Sequence, residues 1–205
     1  MEGLVGRDAI VLAIPRGGVI VGYEVARKLK VLLDLIIPRK IGAPDNPELA
    51  IGAIAEDGTI ILDKGLVRYL GVSKSYSREE SERQLEEIQR RLRLYRGETP
   101  YPDLREKEVI IVDDGIATGS TMKAAVASTR VRGAKKVIIA VPVCPGSSVS
   151  ELEMEADRVI CLHAPEPFYA IGQFYGDFNQ ISDQEVIDLL KQSREEIDPN
   201  KHPNR

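Results

Sequence analysis

Residues Val109–Thr121, VIIVDDGIATGST, run from four consecutive β-branched residues into two adjacent carboxylates and then into a small, hydroxyl-rich loop. The apolar run has the length and composition of a buried strand, and Asp113-Asp114-Gly115 marks its end. A strand that is apolar on both sides belongs in a parallel sheet covered by helices on each face. Gly115, Ala117 and Gly119 let backbone N–H groups approach an anion, and Thr118, Ser120 and Thr121 add hydroxyl donors. A helix that starts there contributes the positive end of its dipole, so a phosphate monoester fits the loop. The acids need a different partner, because adjacent carboxylates repel and are costly to desolvate without donors or a cation. A vicinal diol supplies two O–H donors, and Mg2+ bridging that diol offsets the charge.

The segments on either side repeat the pattern. Downstream, a helix over about Ser120 to Val131 closed by Gly133, a strand Lys136 to Val141, a helix Ser147 to Ala156 and a strand Asp157 to Leu162 alternate. Upstream, Asp8 to Ile14 (DAIVLAI) is an apolar run stopped by Pro15-Arg16-Gly17-Gly18. Val21, Val25 and Leu29 share one face of a helix over Val19 to Lys30, and Leu32 to Ile37 gives a strand ending in Pro38-Arg39-Lys40. Alternating buried strands and helices specify an α/β fold with an open parallel sheet. Loops at the carboxyl ends of such strands face the ligand crevice, which groups Arg16, Arg39, Lys40 and the Asp113–Thr121 loop.

The middle of the chain departs from the alternation. Ile41 to Leu49 reads as a loop, and Ala50 to Ala55 with Thr59 to Leu62 reads as a hairpin around Glu56-Asp57-Gly58. From Tyr76 to Arg96, Leu85, Ile88, Leu92 and Tyr95 form the stripe of a long amphipathic helix, with Ser77 and Glu80 as a capping box and Gly97 as its stop. That helix is a dimer arm, a lid, or a solvated helix packed by one stripe. Ser182 and Glu185 cap a last helix, and the tail beyond Pro199 reads as loose.

With 32 acidic and 28 basic residues among 205, the chain carries a net charge of −4, which argues against a general nucleic-acid binder. No segment reaches the roughly 18 apolar residues of a membrane span, and MEGLVGRD lacks the apolar core of a signal peptide. A cytoplasmic location is expected. Cys144 and Cys161 show no ligand spacing with each other or with His163 and His202, so both are expected as buried thiols. GxxxxGK[ST], GxGxxG with a distant acid, and GxSxG are all absent.

VIIVDDGIATGST resembles the phosphoribosyl pyrophosphate (PRPP) signature of type I phosphoribosyltransferases, and Ile14-Pro15-Arg16-Gly17-Gly18 is similar to that family's pyrophosphate loop. The resemblance covers about Asp8 to Phe178 and is closest to uncharacterised members. It implies the type I phosphoribosyltransferase fold, an open parallel sheet with helices on both faces, a small hood and a long amphipathic helix insertion. A single domain over 1–205 is expected, with a core of about 8–163, the insertion at about 64–105, and the hood and last helix at about 164–198.

What the resemblance implies for the site follows residue by residue. Asp113 and Asp114 hold the ribose hydroxyls, and with them Mg2+, directly or through water. Gly115, Ala117, Thr118, Gly119, Ser120 and Thr121 hold the 5-phosphate, while Arg16, Gly17 and Gly18 face the leaving pyrophosphate across a cis Pro15-Arg16 peptide. Arg39 and Lys40 resemble a basic pair that approaches pyrophosphate, which makes Arg16, Lys40, Asp113 and Asp114 the catalytic candidates. Phe168 to Phe178 (FYAIGQFYGDF) resembles the hood over the base, where Phe168 and Tyr169 either stack on a heterocycle or form hood core, and Asp177 contacts metal or base. A homodimer is expected. Two departures stand out: Ala117 occupies the position where 6-oxopurine enzymes carry an aspartate, and about seven residues precede the first strand where relatives have more, implying a thinner hood or a shortened start.

The implied reaction is Mg2+-dependent transfer of ribose 5-phosphate from PRPP to a nitrogenous base with release of pyrophosphate. A non-catalytic PRPP or nucleotide sensor of the same fold is the alternative. A methyltransferase is the weaker rival, since Ala140-Val141-Pro142-Val143 offers no acid to hold a ribose.

Overall fold

The computed structural model describes residues 8–197; the start of the chain and the tail beyond Pro199, both read above, lie outside them. In chain order the elements are β1 (Ala9–Ala13), α1 (Gly18–Leu29), β2 (Leu32–Leu35), β3 (Arg39–Ala43), β4 (Asn46–Ile54) and β5 (Ile60–Leu62). Then come α2 (Lys64–Tyr69), α3 (Lys74–Arg96), β6 (Glu108–Val112), α4 (Ser120–Val131), β7 (Lys136–Val143), α5 (Gly146–Leu152) and β8 (Arg158–His163). A short 3-10 helix, Ile171–Phe174, and α6 (Asp183–Ile197) complete the described chain.

Five strands form one parallel sheet in the order β2-β1-β6-β7-β8. Because side chains alternate along a strand, the uninterrupted apolar runs feed two cores at once. Val11, Ala13, Ile110, Val112 and Ile138 join residues of α1, α3 and α6 on one side. Ile10, Leu12, Val109, Ile111 and Ile139 join Met122, Val126 and Leu152 of α4 and α5 on the other. The expected two-faced sheet is therefore present. Among the described residues no helix is long and apolar enough to cross a membrane.

The middle of the chain differs from the reading in two places. Residues expected as a loop from Ile41 to Leu49 instead complete a three-stranded antiparallel sheet, β3-β4-β5. Gly42 makes this fit: a Cβ there would lie 2.6 Å from the Pro47 carbonyl oxygen, and the pairing shifts register on both sides of it. The expected turn at Glu56-Asp57-Gly58 is present, with Gly58 at φ 84° and Ala55 N–H donating to Thr59 O at 2.9 Å. The long helix starts earlier than its expected cap. Ser73 is the N-cap, accepting from Tyr76 N at 3.1 Å, while Ser77 lies in the first turns and donates back to Ser73 O at 3.2 Å. Glu80 serves Arg83 and Gln84 instead of a cap. Gly97 closes the helix at φ 57°, as expected.

A polar network ties this insertion to the end of β2. The Tyr101 ring lies between two guanidinium groups, Arg96 at 4.2 Å and Arg132 at 3.4 Å from its centroid. Each cation has a buried carboxylate: Arg96 pairs with Asp34 at 3.0 Å and Arg132 with Glu56 at 3.2 Å. The remaining donors converge on one short stretch of backbone. Asp34 accepts from Leu35 N at 2.7 Å, Glu56 accepts from Ile37 N at 2.8 Å, and the Tyr101 hydroxyl donates to Leu35 O at 2.7 Å.

Candidate active site

Chain order reverses between β1 and β6: β2 lies on one side of β1, and the chain returns after the insertion on the other. Open α/β sheets bind ligands at such a switch point, outside the carboxyl ends of the strands. Here it brings Pro15–Gly18 against Asp113–Asp114, with Ile14 N donating to Val112 O at 2.9 Å. The Pro15-Arg16 peptide is cis, as the resemblance implies. The approach is too close for any side chain on the two glycines. A Cβ on Gly17 would lie 1.8 Å from Asp114 Oδ2, and one on Gly18 would lie 2.8 Å from Asp113 Cα.

The two acids sit at the floor of the crevice with protein packed closely around them. Asp113 Oδ1 accepts from Asp114 N at 2.8 Å. Burial, and then the charge of Asp114, push Asp113 well above the usual carboxylate range; burial also raises Asp114. A folded-state value above the unfolded one means that the native state binds more protons across that window, so this contribution to stability is lost as pH rises through it. Asp113→Asn keeps an Oδ1 acceptor and removes the charge. It is expected to melt higher than the parent at neutral pH, by a few degrees, with the difference shrinking toward acidic pH, as thermal melts over pH would measure. A difference that instead grows toward acidic pH would contradict the assignment.

Beyond the acids, Gly119 at φ 75° forms the N-cap of α4, a left-handed conformation that glycine adopts freely. The loop before it is held from below: Ile116 N donates to Val143 O at 2.9 Å, and Ser148 Oγ donates to the Ala117 carbonyl at 3.1 Å. Among the described residues the hydroxyls of Thr118, Ser120 and Thr121 have no protein hydrogen-bond partner. A rigid backbone, uncommitted hydroxyls and a helix N-terminus together suit an anion.

A cavity of about 440 Å3 lies between this floor and the hood, lined by Arg16, Gly17, Asp114, Tyr175, Asp177 and Phe178, with Ile20 and Ile181 among its apolar walls. Tyr175 was not foreseen, yet its hydroxyl donates to the Asp114 carbonyl at 2.5 Å and its ring packs on Phe178 at 5.1 Å. Asp177 lines the cavity, whereas Phe168 and Tyr169 do not. Phe168 packs on Phe174 at 5.3 Å as hood core, and Tyr169 is 82% exposed. Arg16 also has a partner outside the motifs. Its guanidinium lies 3.8 Å from Asp183, which accepts from the Tyr95 hydroxyl at 2.6 Å, and burial with that carboxylate pushes Tyr95 up to about 12.

Arg39 and Lys40 are not brought to this cavity. The sheet strand β2 ends at Leu35, so both residues open β3, where pairing with β4 turns them toward other partners. Lys40 pairs with Glu48 at 2.6 Å, and Arg39 Nε donates to Gln84 of α3. Of the cysteines, Cys144 is buried and its thiol raised to about 12 by burial, whereas Cys161 is only half-buried. Cys144 directly follows β7 and Cys161 lies on the neighbouring β8; the Cys161 thiol and Cys144 N both donate to His163 O, at 3.1 Å and 3.2 Å.

Residues 4–179 match the phosphoribosyl transferase domain family. The chain belongs to that family. A protein of Mycobacterium tuberculosis named "Putative phosphoribosyl transferase" is 42% identical over 194 residues, in both strain CDC 1551 and strain H37Rv. That alignment takes in 95% of this chain and 44% of the relative, so the chain spans less than half the length of the curated relatives it matches. A Thermus thermophilus protein of known crystal structure is 38% identical, with a TM-score of 0.79 over 92% of this chain and 89% of that one. This phosphoribosyl transferase domain thus carries its family's fold over nearly its whole described length.

Proposed function

We propose that the protein transfers ribose 5-phosphate from PRPP to a nitrogenous base and releases pyrophosphate. The observation that carries this reading is the contact of Gly17 and Gly18 with the Asp113–Asp114 pair beside a loop suited to phosphate. One crevice then offers acceptors for a diol, a cradle for the phosphate on the same sugar, and a cation, Arg16, for the pyrophosphate.

Among the described residues no three His, Cys, Asp or Glu side chains cluster as a metal site. Two adjacent carboxylates of raised proton affinity suit an ion held jointly by protein and substrate, the usual arrangement for Mg2+. Asp113 and Asp114 are the residues to hold it, through the ribose hydroxyls or water. When bound, the ion neutralises charge on the diphosphate oxygens. The chain's own groups do the rest. Arg16 and the Gly17 and Gly18 backbone meet negative charge developing on pyrophosphate as the bond from the anomeric carbon to its oxygen breaks. The loop from Gly115 to Thr121 fixes the 5-phosphate, and Tyr175, Phe178 and Asp177 border the space left for the base, which attacks through a ring nitrogen. Positioning two reactants in one crevice accounts for much of such a rate. Arg39 and Lys40 have no role in this assignment. A homodimer is part of the same proposal, checked by light scattering.

Pyrophosphate release from Mg–PRPP with a panel of purine and pyrimidine bases tests the activity. Asp114→Asn is expected to abolish both turnover and the thermal stabilisation by Mg–PRPP; an unchanged shift would sink the site assignment. Ala117 favours a second reading, a PRPP sensor, since it brings no acid toward a base and its carbonyl is taken by Ser148. Micromolar PRPP binding with no pyrophosphate release from any base would select that reading.

A further inference from the structure

We propose that the cleft between Arg39 of β3 and the Arg83–Arg90 face of α3 binds a phosphate-bearing anion at a site separate from the donor crevice. The cleft measures about 460 Å3 and is lined by three arginines, Arg39, Arg83 and Arg90, against two glutamates, Glu86 and Glu87, together with Gln84. The carboxylates nearest the arginines are already engaged. Glu80, beneath the rim, accepts from Arg83 at 2.7 Å and 2.8 Å, and Glu87 accepts from both Arg90, at 2.7 Å, and Arg91, at 2.8 Å. Two carboxylates therefore serve three arginines before Arg39 is counted, and Glu86 is exposed on the rim.

Arg39 is the residue left over. Its Nε donates to Gln84 Oε1, and the Gln84 amide donates in turn to Glu80 at 2.7 Å, so the amide links Arg39 to the acid without supplying charge. Arg39 has no ion pair among the described residues, although it is half-buried. Burial first, and then the neighbouring Arg91, Arg83 and Arg90, lower its pKa, and Glu87 offsets only part of this, the response of a cation crowded by like charge. A merely solvated helix face would not leave a guanidinium desolvated in that way. Guanidinium forks match phosphate oxygens two at a time, and several set around one cleft fit a phosphate or diphosphate group. The cleft also adjoins the catalytic side. Further along the same helix Tyr95 donates to Asp183 at 2.6 Å, and Asp183 lies 3.8 Å from Arg16.

The test is calorimetric titration with inorganic pyrophosphate, without PRPP, of the parent protein, Arg39→Gln, Arg90→Gln and Asp114→Asn. Arg90 is exposed and its ion pair, with Glu87, lies on its own helix, so its variant keeps the fold even if Arg39→Gln does not. The event that belongs to this cleft is expected in the parent, retained in Asp114→Asn and weakened roughly tenfold or more in both arginine variants, the loss of one charge-assisted contact; a further event at the donor crevice is unaffected by the two arginine variants. Events that all keep parent-like affinity in Arg90→Gln, the loss of every event in Asp114→Asn, or no binding at all overturns the proposal. Failure of the donor reading shows instead as the absence of any Mg–PRPP effect on the parent, and leaves the arginine result standing.

Discussion

Gly17→Ala is expected to weaken Mg–PRPP binding by roughly 100-fold while leaving the fold in place. The added methyl would sit 1.8 Å from Asp114 Oδ2 and 2.6 Å from its Cγ, so no small adjustment accommodates it. Either the Asp114 carboxylate rotates away from the crevice or the Arg16–Gly18 turn retreats from it. Both movements separate the groups that the proposed donor must touch together. Overpacking at one side chain costs about 1–3 kcal/mol, within reach of a domain with two extensive cores. Circular dichroism and thermal melts establish folding; calorimetry with Mg–PRPP reads the loss. Tight PRPP binding by a folded Gly17→Ala protein would mean that the crevice is not where the donor lies. The same substitution leaves Arg39 and Arg90 untouched, so pyrophosphate binding at the α3 cleft is expected to persist.

The parallel sheet was legible because its central strands β1 and β6 are apolar on both sides and end at a turn or an acid. DAIVLAI stops at Pro15 and VIIV at Asp113, and a run with that composition has few other homes. The β3–β4 hairpin was not, for a local reason. Pro44, Asp45 and Pro47 look like uninterrupted loop chemistry, and nothing local says that Gly42 lets a second strand approach the Pro47 backbone. The cap of α3 was misplaced because two serines carry the same signal four residues apart. Only the packed helix shows that Glu80 is taken by Arg83 and Gln84, which leaves Ser73 to close the first turn.

At the site, local chemistry was readable and long-range chemistry was not. Glycines and hydroxyls around Asp113 and Asp114 describe their own loop, since each acts through its immediate backbone. Which aromatics of FYAIGQFYGDF face the cavity depends on a 3-10 turn at Ile171–Phe174 that has no periodicity to read. That turn sends Phe168 into Phe174 and brings Tyr175 to the Asp114 carbonyl. Arg39 failed for a similar reason: adjacency to the end of β2 suggested the crevice, and strand pairing 15 residues away, Arg39 with Ile54, directed it to α3.

The largest effect on stability is expected at Asp34, far from any reacting atom. Asp34 is 2% exposed and Arg96 is 8% exposed, so Asp34→Ala strands a guanidinium in a dry setting and also frees the Leu35 N–H. Removing one partner of a buried pair costs about 3–5 kcal/mol, which for a chain of this length lowers Tm by about 10 °C or more. Tyr101→Phe provides the calibration. It deletes the hydrogen bond to Leu35 O but keeps the ring between Arg96 and Arg132, for about 1 kcal/mol. The damage from Asp34→Ala should also reach the crevice, because Ile36 N donates to Ala13 O at 3.1 Å, one residue before Ile14 leads into the Arg16 turn. A variant that melts near the parent would show that Arg96 finds water or the Pro100 carbonyl as sufficient compensation. One that melts low yet binds Mg–PRPP as tightly as the parent would show that the network holds the insertion to β2 without setting the position of Arg16.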